Sequence, residues 1–331
     1  MLKFDEIKQI DSINGALALR GRINEIVDGI CEEGYRNICW LGIGGTYASC
    51  MQTLVHMNEL SEIDTFVENA AEYCATGNRR IGKGSVVIIS SVTGSTEEMI
   101  RGVKKAKEAG AKIFGFIDLE TAALAQMVDY EISYPANEQL KFFMAADRFM
   151  FNRGEFPEYG RFYKEMDEYL ANALIDVEKK ADESGREFAK KHKDDMIHYF
   201  VGAGNQWGAV YSYAMCYWEE QHWIRTKSIH AAEFFHGMLE IVDRDTPVTV
   251  FVGEDSQREL SMRVAKFLPR ICGNYTIIDT ADYDLKGFSK EFRGYISHLV
   301  MHAVTQRIDA YIEQFNCHPM EIRRYYRRLD Y

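Results

Sequence analysis

The sequence predicts an α/β protein with parallel sheets, built twice over. Three observations carry this expectation. Short apolar runs such as "RNICWLG" (36–42), "SVVIIS" (85–90) and "KIFGFI" (112–117) alternate with stretches of helical periodicity. The runs are brief and rich in β-branched residues, as strands covered on both faces must be. The order apolar strand, glycine turn, helix then occurs a second time, at "MIHYFVGAGNQWGAVYS" (196–212).

Taken in order, residues 5–33 read as helical, with Ile7, Ile10, Ile13, Leu17, Leu19, Ile23, Ile26 and Ile30 on the apolar positions. Strand 36–42 runs into "GIGGTYAS" and a helix. Short strands follow at 64–68 and 85–90, a helix at 96–109, and strands at 112–117 and 130–134. Residues 137–192 are helical and charged, with "EFPEYGRF" as a breaker. After the second glycine turn, strands are expected at 247–253 and 275–279 and a helix at 290–316. This predicts a duplicated unit, with domains over 1–190 and 191–331.

Bulk composition bounds the function. With 331 residues the chain has room for two cores. A net charge of -11 argues against a nucleic-acid surface, which needs clustered Lys and Arg. It leaves room for a local phosphate pocket. The seven cysteines form no CxxC pair and read as reduced thiols of a cytoplasmic protein. No apolar run reaches membrane-span length, and the amphipathic N-terminus is no signal peptide.

Three stretches can carry chemistry. In "SSVTGSTEEM" (90–99), Ser91, Thr93, Ser95 and Thr96 offer hydroxyls, and Gly94 permits a close backbone approach. They stand between a strand and a helix, where free N–H groups and the helix dipole favour an anion. A plain helix cap on Ser95 or Thr96 is the alternative, and on these residues alone both stand. The turn "GIGGTYAS" (42–49) lacks G-x-G-x-x-G spacing, since Tyr47 holds the third glycine's place. Read alone, it is a tight strand-to-helix turn. The third stretch, "WEEQHWIRTKSIHAAEFFHGMLEI" (218–241), holds Glu219, Glu220, His222, His230, Glu233, His236 and Glu240. It contains no HExxH, and its histidines are eight and six residues apart, so no metal is expected. A carboxylate and a histidine brought together by a turn between helices suit acid–base work better. Solvated charges at a helix end are the alternative for any one of them.

Together, "SSVTGSTEE", "GIGGTYAS" and "AAEFFHG" resemble the sugar isomerase (SIS) domain family, over nearly the whole chain. The layout is similar to the isomerase half of glucosamine-6-phosphate synthase. "EFFHG" and the tail "RRYYRRLDY" look most like the fructosamine-6-phosphate deglycases. The resemblance implies two SIS domains, each a five-stranded parallel sheet between helices. It implies a sugar-phosphate loop at Ser91, Thr93, Gly94, Ser95 and Thr96, with Gly45 and Thr46 contributing. It implies a base sixteen residues before the histidine of E-x-x-H-G, which is Glu220, and a ring-opening or proton-shuttling role for His236, often acting across a homodimer. Glu233 is a supporting candidate.

Amidotransferase relatives begin with a glutaminase domain. This sequence opens directly on the SIS pattern, so no ammonia source of its own is expected. They also carry a lysine near the C-terminus. Here the last lysine is Lys290, and the tail has Arg323, Arg324, Arg327 and Arg328 instead. Arg324 is the candidate clamp for a phosphate or carboxylate, with an exposed tail arginine as the alternative. The implied reaction cleaves a fructosamine 6-phosphate to glucose 6-phosphate and a free amine, with no cofactor. An isomerase or aminosugar-phosphate deaminase of the same fold is the alternative, and a non-catalytic sugar-phosphate sensor a second one.

Overall fold

A computed structural model of the chain describes residues 1–329. It divides into two compact units, one of Ile7–Ala171 and one of Met1–Glu6 with Asn172 onward. The sequence boundary at 190/191 lies at the end of a long helix, Tyr159–His192, whereas the division into units falls inside that helix.

The first unit contains α1 (Glu6–Ala18), α2 (Arg20–Glu33), β1 (Asn37–Gly42), α3 (Gly45–Leu60), β2 (Thr65–Asn69), α4 (Ala70–Thr76) and β3 (Ser85–Ser91). It continues with α5 (Glu97–Glu108), β4 (Lys112–Ile117), β5 (Tyr130–Ile132), α6 (Glu138–Asn152) and the start of α7 (Tyr159–His192). The strands form one parallel sheet in the order β2-β1-β3-β4-β5. Successive side chains of a strand face opposite ways, so both faces must be covered. Cys39, Leu41, Val87, Ile89 and Ile113 join Met99 and Val103 of α5 in one core cluster. Toward the other face, Trp40 and Phe116 pack on Phe142 of α6, with ring centroids 5.1 and 5.8 Å apart. The single helix expected over 5–33 is two. At Leu19 the N–H bonds back to Ala16 three residues earlier, which tightens the turn and ends α1.

The second unit contains β6 (His198–Gly202), α8 (Asn205–Ser212), a π-helical segment Tyr213–Glu219, β7 (Thr226–His230), β8 (Val248–Val252), α9 (Arg258–Phe267), β9 (Tyr275–Asp279) and α10 (Lys290–Asn316). Its parallel sheet runs β7-β6-β8-β9. It has four strands, not the five expected. After β9 the chain makes one 3₁₀ turn, Thr280–Asp282, and the next regular element is α10. Strand β7, "TKSIH", went unread because it is an edge strand with three polar residues in its first three places. Among the described residues no helix is long and apolar enough to cross a membrane, and all seven cysteines are free.

Candidate active site

In the first sheet the strand order reverses between β1 and β3. Connections leave this point in opposite directions, so a crevice opens at the carboxyl ends of the two strands. The two loops singled out from the sequence are the two that border it. After β1, Gly44 adopts φ 61° and ψ −129°, and a Cβ there would meet nothing within 4 Å. At Gly42 a Cβ would lie 2.7 Å from the Tyr47 nitrogen. Glycine there lets α3 start directly against the strand end, with Gly45 and Thr46 in its first turn. The opening N–H groups of such a helix have no intrahelical partner.

After β3, Ser91 Oγ accepts from Gly94 N at 2.9 Å, and Ser95 Oγ donates to Thr93 Oγ1 at 3.0 Å. Gly94 has φ +58°, and a Cβ would lie 2.3 Å from Ala122 Cβ, so this loop needs glycine on both counts. Thr96 takes the N-cap position of α5, but its side chain makes no capping bond. The Thr96 cap that the sequence offered as an alternative is therefore not formed, and the Ser91, Thr93 and Ser95 hydroxyls bond within the loop instead. Thr46 Oγ1 donates to Glu138 Oε2 at 2.8 Å, a partner that sequence reading missed. The buried cation Lys141 is committed to Asp118 and the Tyr134 carbonyl, at 3.1 and 2.6 Å. What the crevice offers an anion is backbone N–H groups and hydroxyls.

The second unit repeats the turn and closes it. Gly204 has φ 62° and ψ −139°, nearly the conformation of Gly44. Here, however, a Cβ would lie 2.1 Å from Asp255 Oδ1. Asp255 follows β8, the counterpart of β3 in strand order. Its carboxylate accepts from Asn205 N at 3.2 Å and Gln257 N at 2.9 Å, while Gly204 N donates to Gln257 Oε1. The chain's own carboxylate occupies the anion position. A readable signal existed: "GEDSQ" carries an acid where the first unit has "SVTGST".

Glu220 directly follows the π-helical segment, and its N–H continues the wide ladder to the Met215 carbonyl at 3.0 Å. The neighbouring Glu219 accepts from Thr226 Oγ1 at 2.8 Å, which places this turn at the amino end of β7. His236 lies beyond the opposite end, on a 3₁₀ turn, its N–H bonded to the Glu233 carbonyl and Glu233 N bonded back to His230. Both Glu233 and His236 are exposed. The two ends of a five-residue strand are roughly 13 Å apart. The turn between helices expected from the sequence is instead a strand, and it separates Glu220 from the His236 of its own chain.

The tail also differs from expectation. Arg323 Nε donates to Glu220 Oε1 at 2.8 Å, with the Glu220 side chain 30% exposed. The Glu220 carboxylate is thus half-buried, reached by an arginine on one oxygen and by solvent. Arg324 stacks its guanidinium 4.1 Å from the Trp223 ring centroid, which accounts for its placement without a ligand.

One group among the described residues has metal-ligand chemistry in reach: His192, Asp195 and His198. Asp195 Oδ2 already accepts from both Nδ1 atoms, at 2.8 and 2.7 Å, and His198 Nε2 meets Thr249 Oγ1 at 2.8 Å. Burial, opposed by the Asp195 bond, holds the His198 imidazole down to about 4. This triad sits at the amino end of β6, away from the glycine turn, and reads as a hydrogen-bonded lock. It lies outside the three stretches that the sequence offered for chemistry.

Comparison with known proteins places a family domain on part of the chain. The SIS domain model matches residues 34–148, which span β1 to most of α6 and hold both loops of the open crevice. Residues 34–148 are a SIS domain. The chain containing it is 26% identical to a fructosamine deglycase of Bacillus subtilis, over 89% of this chain and 92% of that protein. It is 22% identical to a fructoselysine 6-phosphate deglycase of Escherichia coli, over 92% and 89%. A crystal structure from Salmonella typhimurium, of a proposed phosphosugar isomerase, shares the fold with a TM-score of 0.89 at 22% identity, over 94% of this chain and 97% of that one. The SIS match confirms the family expected for the first unit.

Proposed function

We propose that this SIS protein is a deglycase that cleaves a fructosamine 6-phosphate to glucose 6-phosphate and a free amine. The observation that carries the reading is the open crevice between β1 and β3, in a chain similar along nine-tenths of its length to a fructosamine deglycase. The SIS loop of Ser91–Thr96 and the turn at Gly44–Gly45 would hold the phosphate, leaving the sugar to be oriented by its remote end. Glu220 takes a proton from C1 of the open-chain ketose, giving an enaminol. A proton returned to C2 moves the double bond to C1=N. Water then adds to C1, and the amine departs with the nitrogen. His236 supports ring opening by proton transfer to and from the ring oxygen.

The opposite placement of Glu220 and His236 about β7 supports a site shared between two copies of the chain. Each site would take Glu220 from one copy and His236 from the other. Arg323 must release Glu220, or turn with it, before the carboxylate can reach a C–H bond.

The test is a coupled assay for glucose 6-phosphate release from fructoselysine 6-phosphate and other phosphorylated amino-acid adducts, run beside an assay for fructose 6-phosphate and ammonia release from glucosamine 6-phosphate. Turnover of the adducts is expected. Turnover of glucosamine 6-phosphate alone would replace the reading with an aminosugar-phosphate deaminase. Glu220→Gln is expected to lower kcat by at least about a hundredfold while the protein stays folded.

A further inference from the structure

The π-helical segment before Glu220 is pinned at both ends by one carboxylate. Asp309, on α10, accepts from Tyr213 Oη at 3.0 Å and from His222 Nε2 at 3.0 Å, both at Oδ1. Tyr213 is the first residue of the segment, and His222 lies two residues past Glu220. All three side chains are buried. A π turn forms one more residue per hydrogen-bonded ring than an α turn, so it needs outside support and is seldom kept without a use. Here the ladder runs from Glu220 N to the Met215 carbonyl and from His222 N to the Tyr217 carbonyl, both at 3.0 Å, so Glu220 is carried within the widened part.

The first unit makes the comparison. There Asp147 also joins a histidine and a tyrosine, but it spends one oxygen on each: Oδ1 meets His56 Nε2 and Oδ2 accepts from Tyr163 Oη, each at 2.6 Å. That cluster meets a regular helix, α3. In the second unit both donors crowd Oδ1, and the buried Oδ2 has no partner among the described residues. A buried carboxylate oxygen left bare opposes folding, because it loses its water without gaining a partner. Stability alone gives no reason to keep it.

We infer that Asp309 is a positioning residue for Glu220, and that its bonds to Tyr213 and His222 hold the π turn in the geometry that presents the Glu220 carboxylate. This rests on the reading of Glu220 as the base. It assigns a role to three residues that touch no substrate.

The test compares His222→Phe, His222→Gln and Tyr213→Phe with Glu220→Gln in the full-length protein, in the adduct assay above. His222→Phe keeps the ring shape and removes the donor. It should lower kcat by about tenfold to a hundredfold, the cost of a displacement near 1 Å, with KM within about twofold. His222→Gln keeps an N–H donor and should restore most of the rate. Tyr213→Phe should lower kcat less than His222→Phe and also spare KM. A purely structural role would lower the thermal midpoint and leave kcat of the folded protein unchanged in all three. Wild-type kcat in His222→Phe and Tyr213→Phe, with Glu220→Gln inactive, would overturn the inference and leave the base assignment standing. An active Glu220→Gln would remove the base assignment and this inference with it.

Discussion

Arg323 and Glu220 form an ion pair, Nε to Oε1 at 2.8 Å, that ties the C-terminal tail to the proposed base. Both side chains keep contact with solvent, 22% and 30% exposed. Pairs of this kind contribute about 0.2–1 kcal/mol. Removing the arginine should therefore change little in stability and free the carboxylate. We expect Arg323→Met to raise kcat by no more than about fivefold, the rate equivalent of that energy. Steady-state kinetics decides it, and a tenfold fall in kcat would mean that Arg323 serves the reaction.

The two glycine turns make opposite predictions. Gly94→Ala should raise KM for a phosphorylated substrate by about tenfold, because the loop must shift and a charge-assisted bond is lost. The Cβ would lie 2.3 Å from Ala122. Gly204→Ala meets the Asp255 carboxylate at 2.1 Å instead. It should lower the thermal midpoint and leave KM unchanged. Equal effects on KM would mean that the second turn also contacts substrate.

A shared site predicts complementation. Glu220→Gln and His236→Ala should each be nearly inactive alone. In a mixed dimer one site then carries both substitutions and the other carries neither. Random mixing makes half the dimers mixed, so about a quarter of wild-type activity should return. Co-expression with two affinity tags measures it. Sites complete within one chain would recover nothing.

The triad at the start of β6 predicts acid sensitivity. The folded protein keeps His198 neutral down to about 4, against an ordinary value of 6.5. Between these values the unfolded chain binds more protons than the folded one. Stability should therefore be full above pH 6.5 and fall by up to about 3 kcal/mol as pH drops toward 4. Burial raises the Asp195 carboxyl, but its two imidazole partners overcome this and leave it below the ordinary range, so it stays charged in that window. Denaturant midpoints across pH 4–7 test this, and His198→Phe should flatten the slope.

Much of this protein is written locally. Strands β4 and β9 and helix α10 stand where periodicity and turn residues place them, because an apolar run between breakers has few other ways to bury itself. Both glycine turns were visible too, since φ near 60° combined with ψ of −129° and −139°, as at Gly44 and Gly204, is a backbone conformation that favours glycine. The sequence by itself thus determined two α/β units and the two loops of the crevice. Tertiary structure decided what each turn is for. Asp255 reaches Asn205 from fifty residues away and fills one turn, while Gly44 is left open. It also decided that β7, an edge strand with a mostly polar sequence, separates Glu220 from His236, and that Arg323 and Asp309 converge on the region of Glu220 from 103 and 87 residues beyond their respective partners Glu220 and His222. Hydrogen bonds and charge pairs form between whatever groups the folded chain brings within about 3 Å. Sequence distance carries no record of that.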